Sequence, residues 1–200
     1  MAYCFATSSM HIPQGGKWYC EFEFDVADAE NDDHFYIGIC RTELKVDSSA
    51  FDEHAFTIQW AHAAPNSSNG KFIDKGTTTY DNSAIRLTAG EIGMIAVDME
   101  NNKLWFGQDG TWYDDDGSTD GDPANGSNPT GTLTARHNLN EWTFFCGGGH
   151  GNTKVIWNFG NPPFSISSGN ADGNGYGNFE YAVPSGFYAL CSKNIGEFGG

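Results

Sequence analysis

The stretch that most constrains this chain is Glu91–Trp112, EIGMIAVDMENNKLWFGQDGTW. Ile92–Met99 is a nearly unbroken apolar run, longer than most exposed strands tolerate. Asn101-Asn102 suits a two-residue hairpin turn, because Asn accepts positive φ. With the turn there, Glu100 faces Lys103, Met99 faces Leu104 and Val97 faces Phe106. One face then carries Ile95, Val97, Met99, Leu104 and Phe106. The other carries Met94, Ala96, Asp98, Lys103 and Trp105 and is mixed. A one-residue slip would put Lys103 among the core set, so the pattern itself specifies the register. Asp109-Gly110 is a second turn signal. The stretch reads as the central hairpin of an antiparallel sandwich.

The rest of the chain agrees with that class. Lys17–Phe24 alternates cleanly, with Trp18, Cys20, Phe22 and Phe24 on one face and Tyr19, Glu21 and Glu23 on the other. Further strands are read at Tyr3–Ser8, His34–Cys40, Ala55–Trp60, Lys71–Gly76 and Thr77–Tyr80 around a Gly turn, Trp142–Cys146, Val155–Phe159 and Phe187–Cys191. Gly38 inside the third suggests a bulge or a close backbone approach. Aromatics at 14% with 26 Gly fit short strands joined by turns, and no window carries a helical apolar stripe. Long connections are read at Lys45–Glu53, Pro65–Gly70, Trp112–Asn140 and Ser167–Gly177. The 112–140 connection is long enough to be functional or mobile. No internal repeat or linker divides the chain, so residues 1–200 read as one domain.

Charge and cysteine usage narrow the function classes. With 10 Lys and Arg against 26 Asp and Glu, the formal charge is −16. Such a chain repels phosphate backbones and anionic membranes, which argues against nucleic-acid binding. Cys4, Cys20, Cys40, Cys146 and Cys191 are scattered without a CxxC pair and read as reduced, mostly buried thiols. No signal peptide is read in the first twenty residues, and no apolar run is long enough to span a bilayer. The sequons at Asn66 and Asn125 read as chance in loops rich in Asn and Ser.

No GxSxG, HExxH, Walker A or GxGxxG pattern is present. Gly147–Gly151 reads as a β-turn, because no amphipathic helix follows it. The six histidines have no ligand spacing. Glu21 and Glu23 share a strand face as paired catalytic carboxylates would, but read as solvated surface. Asp116, Ser118, Asp120 and Asp122 have the oxygen spacing of the first half of a calcium loop, as do Asn170, Asp172 and Asn174. Neither loop has the closing Glu, so solvated acidic loop is the first reading and a Ca²⁺ site the second. Trp60, Tyr80, Trp112, Tyr113 and Tyr176 flank loops and are the candidate binding anchors. Trp60 and Trp112 serve equally well as caps on core edges.

Taken together in order, several pieces resemble a SPRY domain. They are Gly16-Lys17-Trp18-Tyr19 with Glu21-Phe22, Tyr36-Ile37-Gly38-Ile39, Gly90-Glu91-Ile92-Gly93, Ala96-Val97-Asp98, Leu104-Trp105-Phe106, Asp109-Gly110, Asn158-Phe159-Gly160 and Pro163-Phe164. The resemblance spans residues 16 to 164. It implies an all-β fold, a bent two-sheet antiparallel β-sandwich of SPRY or concanavalin-like type with long loops and very little helix. Gly121-Asp122-Pro123-Ala124 with Gly126-Ser127-Asn128-Pro129, and Gly186–Cys191, are similar to the SPRY domains of bacteriophage virion and tail-associated proteins. Cys20 departs from the pattern, standing where an aromatic is usual.

The resemblance implies a non-enzymatic structural or binding module of a virion: a tail fibre, capsid decoration or adhesion protein. Its loops would recognise other virion proteins, copies of itself, or a host surface protein or glycan. No cofactor is implied. The rivals are a carbohydrate-binding module of a tail fibre, a depolymerase and a cellular peptide-binding SPRY adaptor. The family has more chain upstream of Gly16 than Tyr3–Ser8 supplies, so an edge strand is expected from a neighbouring chain or a longer polypeptide.

Overall fold

The computed structural model describes residues 4–26, 34–41, 55–61, 70–74, 77–82, 87, 90–133, 141–148 and 153–199. The connection read at 45–53, that read at 65–70 except for Gly70, and residues 134–140 and 149–152 lie outside them. The described residues form two compact units, one around each of two sheets.

The first sheet contains β1 (Cys4–Ile12), β3 (His34–Arg41), β4 (Ala55–Ala61), β5 (Gly70–Asp74), β6 (Thr77–Asn82) and β11 (Trp142–Gly148), in the order β1-β11-β3-β4-β5-β6. Its described ladders are antiparallel. The ladder passes through Gly38 in register, opposite Phe145 and Thr57, so the expected bulge is not there. Bulges fall instead between Thr7 and His11 and between Phe72 and Ile73. The first is closed by the Ser8 hydroxyl, which meets the Thr143 hydroxyl at 2.7 Å. Ile37, Ile39, Phe72, Trp142, Phe144 and Phe145 are buried.

The second sheet holds β2 (Lys17–Val26), β7 (Ile92–Asp98), β8 (Lys103–Gln108), β10 (Gly131–Thr132) and β12 (Thr153–Asn158), in the order β10-β8-β7-β2-β12. Two further strands join it: β9 (Thr111–Tyr113) beside β8, and β13 (Tyr188–Ala189), parallel to β2. The single helix among the described residues is α1 (Ser192–Phe198). No helix among them is long and apolar enough to cross a membrane. The fold class is therefore the expected one, nearly all β in two antiparallel sheets.

The central hairpin is β7–β8, but its register is displaced by two residues from the expected one. Val97 faces Leu104, Ile95 faces Phe106, and Asp98 faces Lys103. Only Asn102 of the Asn pair has positive φ, at 55°. The turn is longer because Asp98 closes it. Its carboxylate accepts the Asn101 backbone N–H at 2.9 Å and the Asn101 side-chain amide at 2.8 Å. A shift of two preserves the faces, so Trp18, Phe22, Val97, Met99, Leu104 and Phe106 are all buried as the pattern requires.

The opposite face of this sheet overturns the reading of Glu21 as solvated surface. Tyr19 and Glu21 are fully buried. Tyr19, Met94, Ala96 and Trp105 form a core with Phe179, Phe187 and Ala189 from the segment after β12. A strand apolar on both faces, as β7 is, is covered on both faces. The 158–191 segment provides the cover here.

Candidate interaction surface

Asp109-Gly110 turns β8 into β9, with φ of 48° and 83°. Paired positive φ matches the twist of the flanking strands. The register sets Trp112 opposite Gly107. A Cβ at Gly107 would lie 2.9 Å from the Trp112 ring and 2.6 Å from the Met94 methyl, so glycine lets the indole lie across β8. The indole is half-buried and meets Tyr19 edge-on at 6.1 Å.

Tyr181 stands beside the same turn. Its ring lies 3.0 Å from where a Gly110 Cβ would be, and its hydroxyl donates to Asp109 Oδ1 at 3.2 Å. Burial, then the Asp109 carboxylate, push its phenol up to about 12. Trp112, Tyr181 and Val183 all pack as half-exposed side chains against the Tyr19 core.

Behind this rim, Glu21 anchors the covering segment. Its Oε1 accepts the Tyr19 hydroxyl and the Tyr181 backbone N–H, both at 2.8 Å. Its Oε2 accepts the Glu180 N–H at 3.0 Å and the Asn158 amide at 3.3 Å. Burial raises the Glu21 pKa, and these four bonds draw it back only in part. Asp172 does the same job further along. Its Oδ1 accepts the N–H groups of Asn174 and Tyr176, and its Oδ2 those of Ala189 and the Asn194 amide. Four donors occupy the carboxylate, so this second calcium-like loop is a protein-filled turn.

The connection after Trp112 is built as far as residue 133. Thr130 donates its hydroxyl to the Tyr113 carbonyl at 2.6 Å and accepts the Phe106 N–H at 3.0 Å. Trp105 Nε1 donates to the Ser127 carbonyl, and Lys103 Nζ to that of Gly126. A side chain at Gly121 would meet the Tyr113 carbonyl at 2.6 Å.

The four candidate metal residues sit in two turns of this connection. Asp116 Oδ1 accepts the Ser118 N–H and hydroxyl. Asp122 accepts the Asn125 N–H and side-chain amide. Asp120 contributes its carbonyl to the Asn128 amide. Asp114, beside Asp116, is pushed up to about 6 by burial and by that neighbouring carboxyl. Among the described residues, no group of three or more His, Cys, Asp or Glu is placed to hold a metal ion.

Three of the five aromatic candidates, Trp112, Tyr113 and Tyr176, have described side chains. Trp60 and Tyr80 lie in β4 and β6 of the first sheet, and their side chains are outside the described residues. Tyr113 is buried at 6% exposure, too little for an anchor. Tyr176 is half-buried under Lys193, whose Nζ is 5.0 Å from the ring centre. Of these three, Trp112 alone stands in the rim. Its companions Tyr181 and Val183 come from a segment without regular strand structure.

No family model and no curated protein matches the sequence. Among solved structures, the chain is similar to the SPRY domain of human HERC1. The TM-score is 0.49 at 15% identity, covering 78% of this chain and 82% of that one.

Proposed function

We propose that this chain is a non-enzymatic binding module of SPRY type, working as a structural or attachment component of a bacteriophage virion. The observation that carries the binding half of this reading is the rim of Trp112 and Tyr181. Both rings are fixed by the fold, one across Gly107 and the other against Gly110 and Asp109. Aromatic anchors held in place lose little entropy on binding.

Two further features support it. The residues of the SPRY resemblance hold turns and core: Gly16 and Gly110 take φ of 80° and 83°, Trp18 and Trp105 are buried, and Asn158 binds Glu21. The buried carboxylates Glu21, Asp98 and Asp172 are each bound by donors that build the fold, which supports a structural role for them over acid–base chemistry. The partner is another virion protein, a copy of this chain or a host surface molecule. The acidity disfavours nucleic acid, and the module works without a cofactor.

Mass spectrometry of density-purified particles, made from the genome that encodes this chain, tests the virion half. Recovery in fixed ratio to the major structural proteins is the expected result. Its absence from intact particles, with abundant protein in the lysate, overturns the reading.

A further inference from the structure

We infer that the rim beside the β8–β9 turn docks a cationic segment of a partner protein, an arginine- or lysine-bearing peptide laid over Trp112 and Tyr181. The inference rests on the binding-module reading and names the chemistry of the partner.

Three observations carry it. The first is the apolar floor of Trp112, Tyr181 and Val183, half-exposed over one core. The second is the charge around it. Asp109 and Asp115 are exposed, at the turn and just after Trp112. The third is where the unit's own cations go. Lys17 pairs with Asp98 at 3.0 Å, Lys103 donates to the Gly126 carbonyl at 2.6 Å, and Lys193 lies over Tyr176 at 5.0 Å. These are all the described lysines of this unit, which has no described arginine, and each already has a contact of its own. The chain as a whole is short of cations by 16 charges. An aromatic face flanked by carboxylates favours a guanidinium or ammonium group, through cation–π attraction and charge-assisted hydrogen bonds.

The test is NMR titration of the full chain with a capped Arg-Gly-Arg-Gly-Arg peptide and its glutamate counterpart. The arginine peptide is expected to shift the Trp112 indole N–H and the amides of Gly110, Thr111 and Tyr181, and the glutamate peptide to shift none. Affinity should fall several-fold between about 0.05 and about 0.2 M salt. Trp112→Ala should abolish the shifts. If that variant does not fold, the double variant Asp109→Asn, Asp115→Asn decides, because both residues are exposed and Asn tolerates the Asp109 backbone. It should bind at least fivefold more weakly.

Unchanged affinity in the double variant overturns the inference. So does binding that survives Trp112→Ala in a folded protein, or no binding at all. A neutral glycan that moves these resonances while the arginine peptide does not also overturns it. Because the particle assay is separate, a chain present in virions that ignores the peptide would sink this inference alone.

Discussion

Glu21 accepts the backbone N–H of Tyr181 at 2.8 Å, across 160 positions of sequence. With the Glu180 N–H, the Tyr19 hydroxyl and the Asn158 amide, it ties β2 to the segment that covers it. Glu21→Ala would take the acceptor from the Tyr19 hydroxyl and from the N–H groups of Glu180 and Tyr181, while the Asn158 amide keeps the Asn178 carbonyl. Urea unfolding should show a loss of at least about 3 kcal/mol. Glu21→Gln keeps one acceptor oxygen but turns an amide N–H₂ toward donors, so it should lose less. A near-neutral Glu21→Ala would mean that the segment is held by its apolar contacts alone.

Asp172 gives a more local prediction. Its Oδ2 accepts the Ala189 N–H at 2.9 Å and the Asn194 amide at 2.7 Å. Removing it in Asp172→Ala should release β13 and α1 before the rest of the sheet. Hydrogen exchange at Ala189 should quicken at least tenfold while that of Ile95 and Val97 changes little. Uniform acceleration at all three would instead indicate global destabilisation.

Asp98 and Glu21 titrate in opposite directions. Burial would raise Asp98, but the Asn101 bonds and the Lys17 ammonium outweigh it and hold the carboxyl below its ordinary range. A depressed folded pKa gives stability that is present above the unfolded value and lost as pH falls through the folded one. Glu21 is raised, so its ionisation costs stability as pH climbs from the unfolded value through the folded one. Between about pH 5 and about pH 2.5, Asp98→Asn should therefore show a shallower fall in melting temperature than the parent chain. Equal slopes would remove Asp98 from the acid response.

The thiols should react in two classes. Cys20 and Cys40 are buried, and burial pushes Cys40 up to about 12 and Cys20 well above its ordinary value. Cys146 and Cys191 are partly exposed and outside any disulfide. An alkylating reagent at neutral pH should label these two first and Cys20 only on unfolding. The denatured, unreduced chain should titrate as five thiols. Early loss of Cys20 would mean the second sheet opens readily.

Chelation should leave the melting temperature unchanged. Asp116 turns onto Ser118, and Asp122 onto Asn125, so the two carboxylates are spent in separate turns. A fall in melting temperature with EDTA, restored by calcium, would place an ion among the 116–122 oxygens after all.

What the sequence made legible was the pattern that burial imposes on strands. Trp18, Phe22, Val97 and Phe106 are buried as their alternation demands, and Asp109-Gly110 makes the turn that its residue types favour. The hairpin register escaped because Asp98 recruits Asn101, a side-chain interaction that residue types alone do not rank against a two-residue turn. Glu21 escaped for a different reason. A carboxylate in a strand reads as solvated unless its donors are visible, and three of the four come from residues 158, 180 and 181. Of the candidate anchors, Trp112 was legible by its place beside a turn. Tyr181 was not, because only the folded chain brings it to Gly110.

The dependence of β2 on residues 158–191 also sets a timetable. At ordinary rates of synthesis, the 160 positions between Glu21 and Tyr181 take on the order of ten to thirty seconds to translate. Throughout that interval Tyr19 is made but its cover is not, and once β7 and β8 emerge, Met94 and Trp105 wait with it. A nascent chain in this condition presents apolar sheet and unpaired strand edge to its neighbours, so folding yield, more than final stability, is where crowding by sister chains on one messenger should be felt.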